Sequence, residues 1–333
     1  MALCIRVPKE KGEEVRDTLI SSGLLDRGFK IRSDGDSILI PVISSGFGGY
    51  DTIDADLELA ERRETDYRNL ADIPDVLREM LPTSYDVIGD IAVIKLSDDL
   101  LPYASAVGNA LLKASSSLRA AMTDGGVKGD MRLREVTMIA GTGTSETRHK
   151  EFGVTMIVDP AKAYFNPRLS TERMRIASLV RGGEIIIDMF AGVAPFPLVI
   201  AKHSEPSAIY AIDVNKDAVG MMERNIRLNK LTGIIPICGD AGILISDLPP
   251  ADRIIMNLPQ AADLFLHAAL TNIRSGGTIH LHKIMERSTS SEMISKLIED
   301  MNGKGHRIRA DRIAELKTYS PTMSVYVIDI VRS

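Results

Sequence analysis

Residues 183–197 of the 333-residue chain have the sequence GEIIIDMFAGVAPFP. Its three consecutive isoleucines, Ile185 to Ile187, predict a strand of a parallel sheet that is buried on both faces. An acid and a glycine follow, so residues 188–192 predict a tight turn at the carboxyl end of that strand. In open α/β sheets a nucleotide-like ligand binds outside the carboxyl ends of the strands, where the backbone can approach it at a glycine. The stretch therefore predicts a ligand-binding turn.

The turn lacks the features of a phosphate-binding loop. A dinucleotide-binding fold would carry Gly-x-Gly-x-x-Gly here, so that a pyrophosphate could sit on the amides of the helix N-terminus. This turn has a single glycine, Gly192, and an acid, Asp188, that would repel phosphate. An acid suits a ligand that has an ammonium or sulfonium group and free ribose hydroxyls.

Two more acids follow predicted strands. The second strand, at 210–213, ends in Asp213, from which a carboxylate can accept hydrogen bonds from both ribose hydroxyls. The third, at 234–237, is followed by Asp240, within reach of an adenine amine. Any one of these acids is explained as well by a helix cap or a turn. Three in register, without a phosphate loop, favour S-adenosylmethionine as the cofactor.

Several stretches resemble the tRNA (guanine-37 N1)-methyltransferase family of the archaeal and eukaryotic type. Three lie around the predicted cofactor site: DMFAGV at 188–193, AIDVN at 211–215 and IIMNLP at 254–259. The others are LCI at 3–5, KGDMRLRE at 128–135, IAG at 139–141, HK at 149–150 and YFNPR at 164–168. The resemblance covers nearly the whole chain.

The resemblance implies an α/β fold with three domains. A Rossmann-like class I methyltransferase domain, residues 161–333, would follow two smaller α+β domains. The first, residues 1–66, would recognise the body of the tRNA, and the second, residues 67–160, would bind RNA as well. Strand and helix patterns within 1–45 and a hairpin pattern at 86–96 agree with these two modules.

Composition places the chain among soluble globular proteins of two or three domains, with 44% hydrophobic and 26% charged residues. No segment reaches eighteen uninterrupted apolar residues, and the first charge comes at Arg6, so we expect no membrane span and a cytoplasmic location. Cys4 and Cys238 are far apart and indicate core residues rather than a disulfide or a metal site. We likewise expect no metal at the site, because no His, Cys or Asp cluster has suitable spacing.

The net charge of −5 argues against a nucleic-acid partner, because phosphate binding usually requires a basic surface. The distribution of charge weakens this argument. Residues 51–66 alone hold seven acids and two bases, a net of −5, so the rest of the chain is balanced. Local basic surfaces therefore remain compatible with RNA binding.

A helix is predicted to begin at Asn166-Pro167, a good N-cap and first helical residue, and to end at Gly182-Gly183. Its apolar face would comprise Leu169, Ile176, Leu179 and Val180, and Glu172 falls on that inward face. Spacing alone favours an ion pair between Glu172 and Arg168. Burial would raise the pKa of Glu172, and the nearby arginines would lower it.

The sequence Asn257-Leu258-Pro259 predicts a turn off the fourth strand toward the same crevice. A polar side chain followed by proline can address the edge of a planar base. Methyltransferases that act on exocyclic amines usually add a second proline and an aromatic residue, which this chain lacks. His280 and His282 alternate with apolar residues and indicate strand residues that face a loop.

The resemblance assigns roles to the candidate residues of the reaction. Methylation at N1 of guanine requires loss of the N1 proton and stabilisation of charge on O6. Glu172 would accept the proton and Arg132 would donate to O6, although its spacing from Arg134 alone indicates a solvent-exposed pair. Asn257 would position the base and also contact the cofactor.

The remaining candidates divide between the two ligands. Tyr164, Arg168, Arg173 and Pro259 would bind the flipped nucleotide. Asp188, Phe190, Gly192, Asp213 and Asp240 would bind S-adenosylmethionine. One position departs from the family pattern: Ala194 stands where glycine is common, and its methyl group matters only if the backbone there needs a positive φ.

Three alternatives remain open. A related enzyme of wyosine synthesis would share the fold and cofactor but transfer an aminocarboxypropyl group, or methylate a tricyclic guanine. A tRNA-binding protein without catalytic activity is disfavoured by the presence of Glu172 and Asn257, and a nicotinamide dehydrogenase by the absence of the glycine fingerprint. The resemblance implies a monomer whose substrate is tRNA with guanosine at position 37.

Overall fold

The structure, a computed structural model, describes residues 1–60, 64–128 and 133–333. Two compact units divide the chain, Met1–Asp66 and Tyr67–Ser333. The three predicted domains stay a prediction. In the described residues, no helix combines the length and apolar character needed to cross a membrane.

The first unit is a small antiparallel sheet with one helix. Its elements are β1 (Ala2–Pro8), α1 (Gly12–Ser21), β2 (Arg32–Asp34), β3 (Ser37–Pro41) and β4 (Thr52–Ala55). The strand order is β2-β3-β1-β4, and α1 places Val15 and Leu19 on a core with Ile5 and Ile40. Cys4 is fully buried in this unit, as predicted.

The second unit begins with a four-stranded sheet and then a separate hairpin. Its first elements are α2 (Tyr67–Leu70), α3 (Asp75–Arg78), β5 (Asp86–Ile88), β6 (Ile91–Ile94), α4 (Ala104–Ala114), β7 (Ala120–Lys128) and β8 (Leu133–Gly141). The sheet has the order β5-β6-β7-β8, and the predicted β5–β6 hairpin is confirmed. The hairpin that follows consists of β9 (Thr147–Glu151) and β10 (Val154–Val158).

The rest of the second unit is a seven-stranded sheet covered by helices. Its strands are β11 (Ile185–Asp188), β12 (Ala208–Asp213), β13 (Ile234–Cys238), β14 (Ala251–Met256), β15 (Ile273–Glu286), β16 (Ile308–Thr318) and β17 (Met323–Arg332). Its helices are α5 (Ser170–Leu179), α6 (Pro195–His203), α7 (Lys216–Asn229), α8 (Ala241–Leu244), α9 (Leu266–Asn272) and α10 (Ser290–Gly303). The predicted α/β class is confirmed.

The strand order β13-β12-β11-β14-β15-β17-β16 has its switch point between β11 and β14. The first five strands are parallel, and β17 runs antiparallel to both of its neighbours. Apolar residues pack on both faces, with Ile186 in one core and Ile187 in the other. The carboxyl ends of β11, β12 and β14 therefore meet at one edge, where a ligand crevice is expected.

Packing corrects the expectations for four residues. Leu179, predicted on the apolar face of α5, is exposed because the helix ends there and the chain turns away at Val180. Cys238, predicted in the core, is exposed at the end of the edge strand β13. His280 and His282 are fully buried rather than facing a loop, because helix α5 covers this face of β15.

Candidate active site

A pocket opens at the carboxyl edge of the seven-stranded sheet, at the switch point. The turn after β11 forms its floor, and the ends of β12, β13 and β14 form its sides. Its lining includes residues 189–192, 213–215, 239–241 and 257–258, together with 164–166 and Phe265. The predicted cofactor turn and two of the three predicted strand-end acids thus face one space.

Asp213, at the end of β12, is hydrogen-bonded to the turn that follows β11. Its carboxylate accepts hydrogen bonds from the backbone N–H groups of Gly192, at 2.6 Å, and Asn215, at 2.9 Å. Burial raises the pKa of Asp213, and these two hydrogen bonds offset only part of that effect. The side chain of Asn215 in turn caps α7 by accepting from the N–H groups of Asp217 and Ala218.

Asp188 lies beneath the turn and does not line the pocket. Its side chain is fully buried, and Oδ1 accepts from the N–H of Phe190 at 3.2 Å. Oδ2 has no hydrogen-bond partner among the described residues. Burial, reinforced by the nearby charge of Asp213, raises the pKa of Asp188 to about 8. An acid with an unsatisfied buried oxygen is costly unless a ligand compensates for it.

The remaining cofactor candidates line the pocket. Gly192 has a left-handed backbone, with φ of 56°. Phe190 packs edge-to-face on Phe265, with ring centroids 5.1 Å apart, and makes an apolar wall. Asp240 caps α8 through the N–H of Gly242 at 2.8 Å.

The turn after β14 places Asn257 at the pocket, while Pro259 lies just outside its lining. The carbonyl of Pro259 accepts from the N–H of Ile284 at 2.8 Å, which anchors the turn to β15. Asn257 therefore projects from a turn that is held at both ends by the sheet.

Arg173 lines the pocket but is itself almost fully buried. Its guanidinium donates to both carboxylate oxygens of Glu151, at 2.5 and 2.7 Å, and to the carbonyl of Asn166 at 3.2 Å. It also lies over the rings of Phe165 and Phe196. These contacts make Arg173 a rigid part of the pocket wall that connects α5 to β9.

Glu172 is buried on α5, as predicted, and lies outside the pocket lining. Its partner is Arg175, not the predicted Arg168: the guanidinium donates to its two oxygens at 2.6 and 2.7 Å. Burial alone would raise the pKa of Glu172, but Arg175 and, when it carries a proton, His282 outweigh this effect and lower that pKa to about 2. Arg168 instead donates to Asp86 at 2.6 Å and remains half-exposed.

A buried polar network continues from Glu172 across the sheet. Arg175 also donates to both oxygens of Asp329, at 2.8 and 3.1 Å, and Asp329 contacts Nδ1 of His280 at 2.6 Å. Nε2 of His280 lies 2.7 Å from Arg253, which donates to Glu184 at 2.9 and 3.0 Å. We call this set, with His282 at its near end, the charge network.

The structure brings together seven of the predicted site residues. Those that line the pocket are Tyr164, Arg173, Phe190, Gly192, Asp213, Asp240 and Asn257. Glu172, Asp188, Arg168 and Pro259 lie outside its lining, and Arg132 falls outside the described residues. Sequence reasoning included Arg175 among the arginines that lower the pKa of Glu172 but assigned the ion pair to Arg168, and it missed Asp329 and the burial of the two histidines. The available signal was the alternation of polar with apolar residues in a strand that is covered on both faces. In the described part of the chain, no group of three or more His, Cys, Asp or Glu residues is placed to hold a metal.

A doubly wound sheet with acids at its switch point and no phosphate-binding turn is the arrangement of a class I methyltransferase. Family comparisons agree with this class. Residues 147–309 match the TRM5/TYW2 methyltransferase domain, residues 4–50 the tRNA methyltransferase 5 N-terminal domain, and residues 68–144 the TYW2 N-terminal domain. The chain belongs to the TRM5/TYW2 methyltransferase family.

Two curated relatives illustrate the family. A protein of Pyrococcus abyssi named tRNA (guanine(37)-N(1))-methyltransferase Trm5b is 42% identical over 283 residues, which are 85% of this chain and 84% of that protein. A protein of Methanocaldococcus jannaschii named tRNA(Phe) (4-demethylwyosine(37)-C(7)) aminocarboxypropyltransferase is 30% identical over 74% of this chain and 96% of that protein.

Solved structures agree with these relatives. Trm5b from Pyrococcus abyssi superposes with a TM-score of 0.77 at 37% identity, and the match covers all of both chains. The complex of aTrm5 with tRNALeu gives 0.72 at 30% identity, over 98% of this chain and 99% of that one. TYW2 of M. jannaschii in complex with AdoMet gives 0.57 at 26% identity, over 75% and 100%.

Proposed function

We propose that this protein transfers the methyl group of S-adenosylmethionine to N1 of guanosine 37 in tRNA. The observation that carries the proposal is the acid cluster at the switch point, with Asp188 beneath the turn and Asp213 and Asp240 beside it. The relative at 42% identity, whose name states this activity, supports it. A monomeric enzyme and a cytoplasmic location stay predictions.

The residues of the pocket and of the turn beneath it fit this cofactor. Asp188 does not line the pocket, and a cationic ligand would act on its carboxylate, whose Oδ2 has no partner among the described residues, across the turn and would lower the raised pKa of that acid. Asp213 and Asp240 offer carboxylate oxygens for ribose and adenine, and Phe190 offers an apolar surface. S-adenosylmethionine, when bound there, supplies an activated methyl group.

The substrate side needs a base and a donor, because N1 of neutral guanine carries a proton and its removal places charge on O6. Glu172 accepts that proton. Asn257, on its anchored turn, positions the edge of the base, and Tyr164 and Arg168 hold the flipped nucleotide. The role of Arg132 at O6 rests on the family resemblance.

Arg175 is paired with two carboxylates, those of Glu172 and Asp329, and this double pairing explains how a buried glutamate can serve as the base. The guanidinium bonds Glu172 and Asp329 at once. When Glu172 receives a proton, Arg175 therefore keeps a charged partner, and no buried cation is left uncompensated. The lowered pKa of Glu172 ensures that the carboxylate is ionised at neutral pH before each turnover.

The direct test is methyl transfer from labelled S-adenosylmethionine to an unmodified tRNA transcript with guanosine 37. Mass spectrometry of the product should identify N1-methylguanosine at that position. The second candidate is transfer of an aminocarboxypropyl group to a wyosine precursor, which the M. jannaschii relative favours. Label from the methyl group would then be absent from the tRNA, while label from the aminocarboxypropyl group would enter precursor tRNA.

We predict that Glu172→Gln lowers the single-turnover rate of methyl transfer by about 10²-fold or more, because the amide cannot accept the N1 proton. Its affinity for S-adenosylmethionine, measured by calorimetry, should change less than about threefold. Glu146→Gln is the matched control, since Glu146 also accepts two hydrogen bonds from an arginine, Arg224, and lies outside the charge network. Equal rates in both variants would remove Glu172 from the mechanism.

A further inference from the structure

His282 is a fully buried histidine without a hydrogen-bond partner. Its side chain has no exposed surface, and neither ring nitrogen has a partner among the described residues. Most buried polar atoms are satisfied, so an orphaned imidazole in a folded core calls for an explanation. A structural role gives none, because an apolar side chain would fill the same space without the desolvation cost.

His282 lies near Glu172 and at the level of the turn that carries Asn257. Nε2 lies 3.7 Å from Oε1 of Glu172, beyond hydrogen-bond distance but close enough for a proton to pass after a small movement. The ring packs on Phe196, a residue of the pocket lining, at 5.9 Å between centroids. Met256 of β14 pairs with Leu281 of β15, so Asn257 follows at the same level of the sheet as His282.

The hydrogen bonds of the charge network show which histidine is free to take up a proton. Arg253 can only donate, so Nε2 of His280 must accept from it and Nδ1 must carry the hydrogen that faces Asp329. His280 is thus held neutral, in agreement with its pKa, which burial lowers. His282 makes no such bonds, and Nε2 is open.

The charge of the network favours one additional proton. With both histidines neutral, the carboxylates of Glu172, Asp329 and Glu184 outnumber the guanidinium groups of Arg175 and Arg253 by one. The charged groups that surround His282 belong to α5, β14, β17 and the segment before β11, and their sum is −1. A proton on His282 makes the whole buried set neutral.

We propose that His282 is a positioning residue that takes up the proton which Glu172 removes from N1 of guanine. The inference rests on the proposed function. N1 loses its proton to Oε1 of Glu172 and gains the methyl group, whose bond to sulfur breaks and leaves its electron pair on sulfur. The proton then passes to Nε2 of His282, which becomes an imidazolium. After the product leaves, the proton returns through Oε1 of Glu172 to solvent that enters the emptied site. Glu172 thereby regains its ionised state beside Arg175.

The test compares single-turnover with steady-state methyl transfer, as a function of pH, by the full chain carrying His282→Gln, with unmodified tRNA bearing guanosine 37. Glutamine keeps a polar group at this place but cannot take up a proton. Glu172 still accepts the N1 proton in this variant, so we expect the single-turnover rate to stay within about threefold of wild type and the steady-state rate near pH 7 to fall at least about tenfold, with little change in affinity for S-adenosylmethionine or tRNA. The variant's steady-state rate should then rise by up to about tenfold per pH unit, because Glu172 must lose its proton directly to solvent, whereas the wild-type rate levels off.

His280→Gln is the control, since it removes an equally buried imidazole from the same strand. It should lower the unfolding temperature and keep the wild-type shape of the pH profile. A wild-type profile for His282→Gln, or the same altered profile for both variants, would overturn the proposal. If His282→Gln does not fold, the smaller His282→Asn carries the same expectation. Absence of N1-methylguanosine with the wild-type chain would instead reject the proposed function itself.

Discussion

Ala194 has a backbone conformation that L-residues rarely adopt. Its φ of 69° and ψ of 38° are left-handed, and the residue is fully buried at the N-cap of α6. The backbone is fixed there because its N–H donates to the carbonyl of Ala191 at 2.8 Å and its carbonyl accepts from the N–H of Leu198 at 3.0 Å. The family that the sequence resembles commonly has glycine at this position. The alanine of this chain therefore stands where its methyl group causes strain.

We predict that Ala194→Gly stabilises the protein by about 1 kcal/mol, because relief of the left-handed strain exceeds the entropy that glycine adds to the unfolded chain. Urea unfolding with and without S-adenosylmethionine would measure it. Gly192→Ala is the opposite control: φ is 56°, and an added Cβ would lie 3.4 Å from the carbonyl oxygen of Tyr164. The strain argument fails if Ala194→Gly is destabilising.

Strand β10 has one edge that pairs with no other strand of the described residues, and two asparagines on one face of α7 form hydrogen bonds with the backbone at that edge. Asn225 accepts from the N–H of Ile157 at 2.6 Å and donates to its carbonyl at 3.1 Å. Asn229, one turn later, does the same for Thr155 at 2.8 and 2.7 Å. These amides satisfy the open side of β10 and attach the β9–β10 hairpin to the methyltransferase fold.

We predict that Asn225→Ala destabilises the second unit by about 2–4 kcal/mol, since it leaves buried backbone groups of Ile157 and Val193 without partners. Arg227→Ala, on the exposed face of the same helix, should change stability by less than about 0.5 kcal/mol. Chemical denaturation of both variants tests the difference. A loss below about 1 kcal/mol for Asn225→Ala would show that water replaces the amide.

The parallel strands and the binding edge could be predicted because runs such as Ile185 to Ile187 end at an acid, a signal that is local in the sequence. The ion-pair partner of Glu172 could not be predicted from the sequence. Helical spacing offers both Arg168 and Arg175, and the choice is made by Asp329, which is 154 positions from Arg175 and reaches it only through β17. The burial of His282 was missed for the same reason, because alternation does not reveal that helices cover both faces of β15.

The two units differ in charge as well as in fold. The first unit, residues 1–66, holds nine Lys and Arg against fourteen Asp and Glu, so it carries the whole net charge of −5. The second unit is neutral overall and contains every residue that lines the pocket. Residues 51–66 account for that charge, so residues 1–50 are balanced, with seven Lys and Arg against seven Asp and Glu. Local basic groups that attract phosphate are therefore compatible with both residues 1–50 and the second unit.

We predict that residues 67–333, produced without the first unit, bind S-adenosylmethionine with a dissociation constant within about twofold of the full chain, because the pocket lies wholly in the second unit. The full chain should methylate whole tRNA with a kcat/KM at least about tenfold above that for an isolated anticodon stem-loop, and the shortened chain should lose this preference. Removal of an acidic unit strengthens non-specific attraction for RNA, so a lost preference reports lost recognition of the tRNA body and not weaker electrostatics. A shortened chain that keeps the full preference would show that the second unit alone recognises the tRNA body.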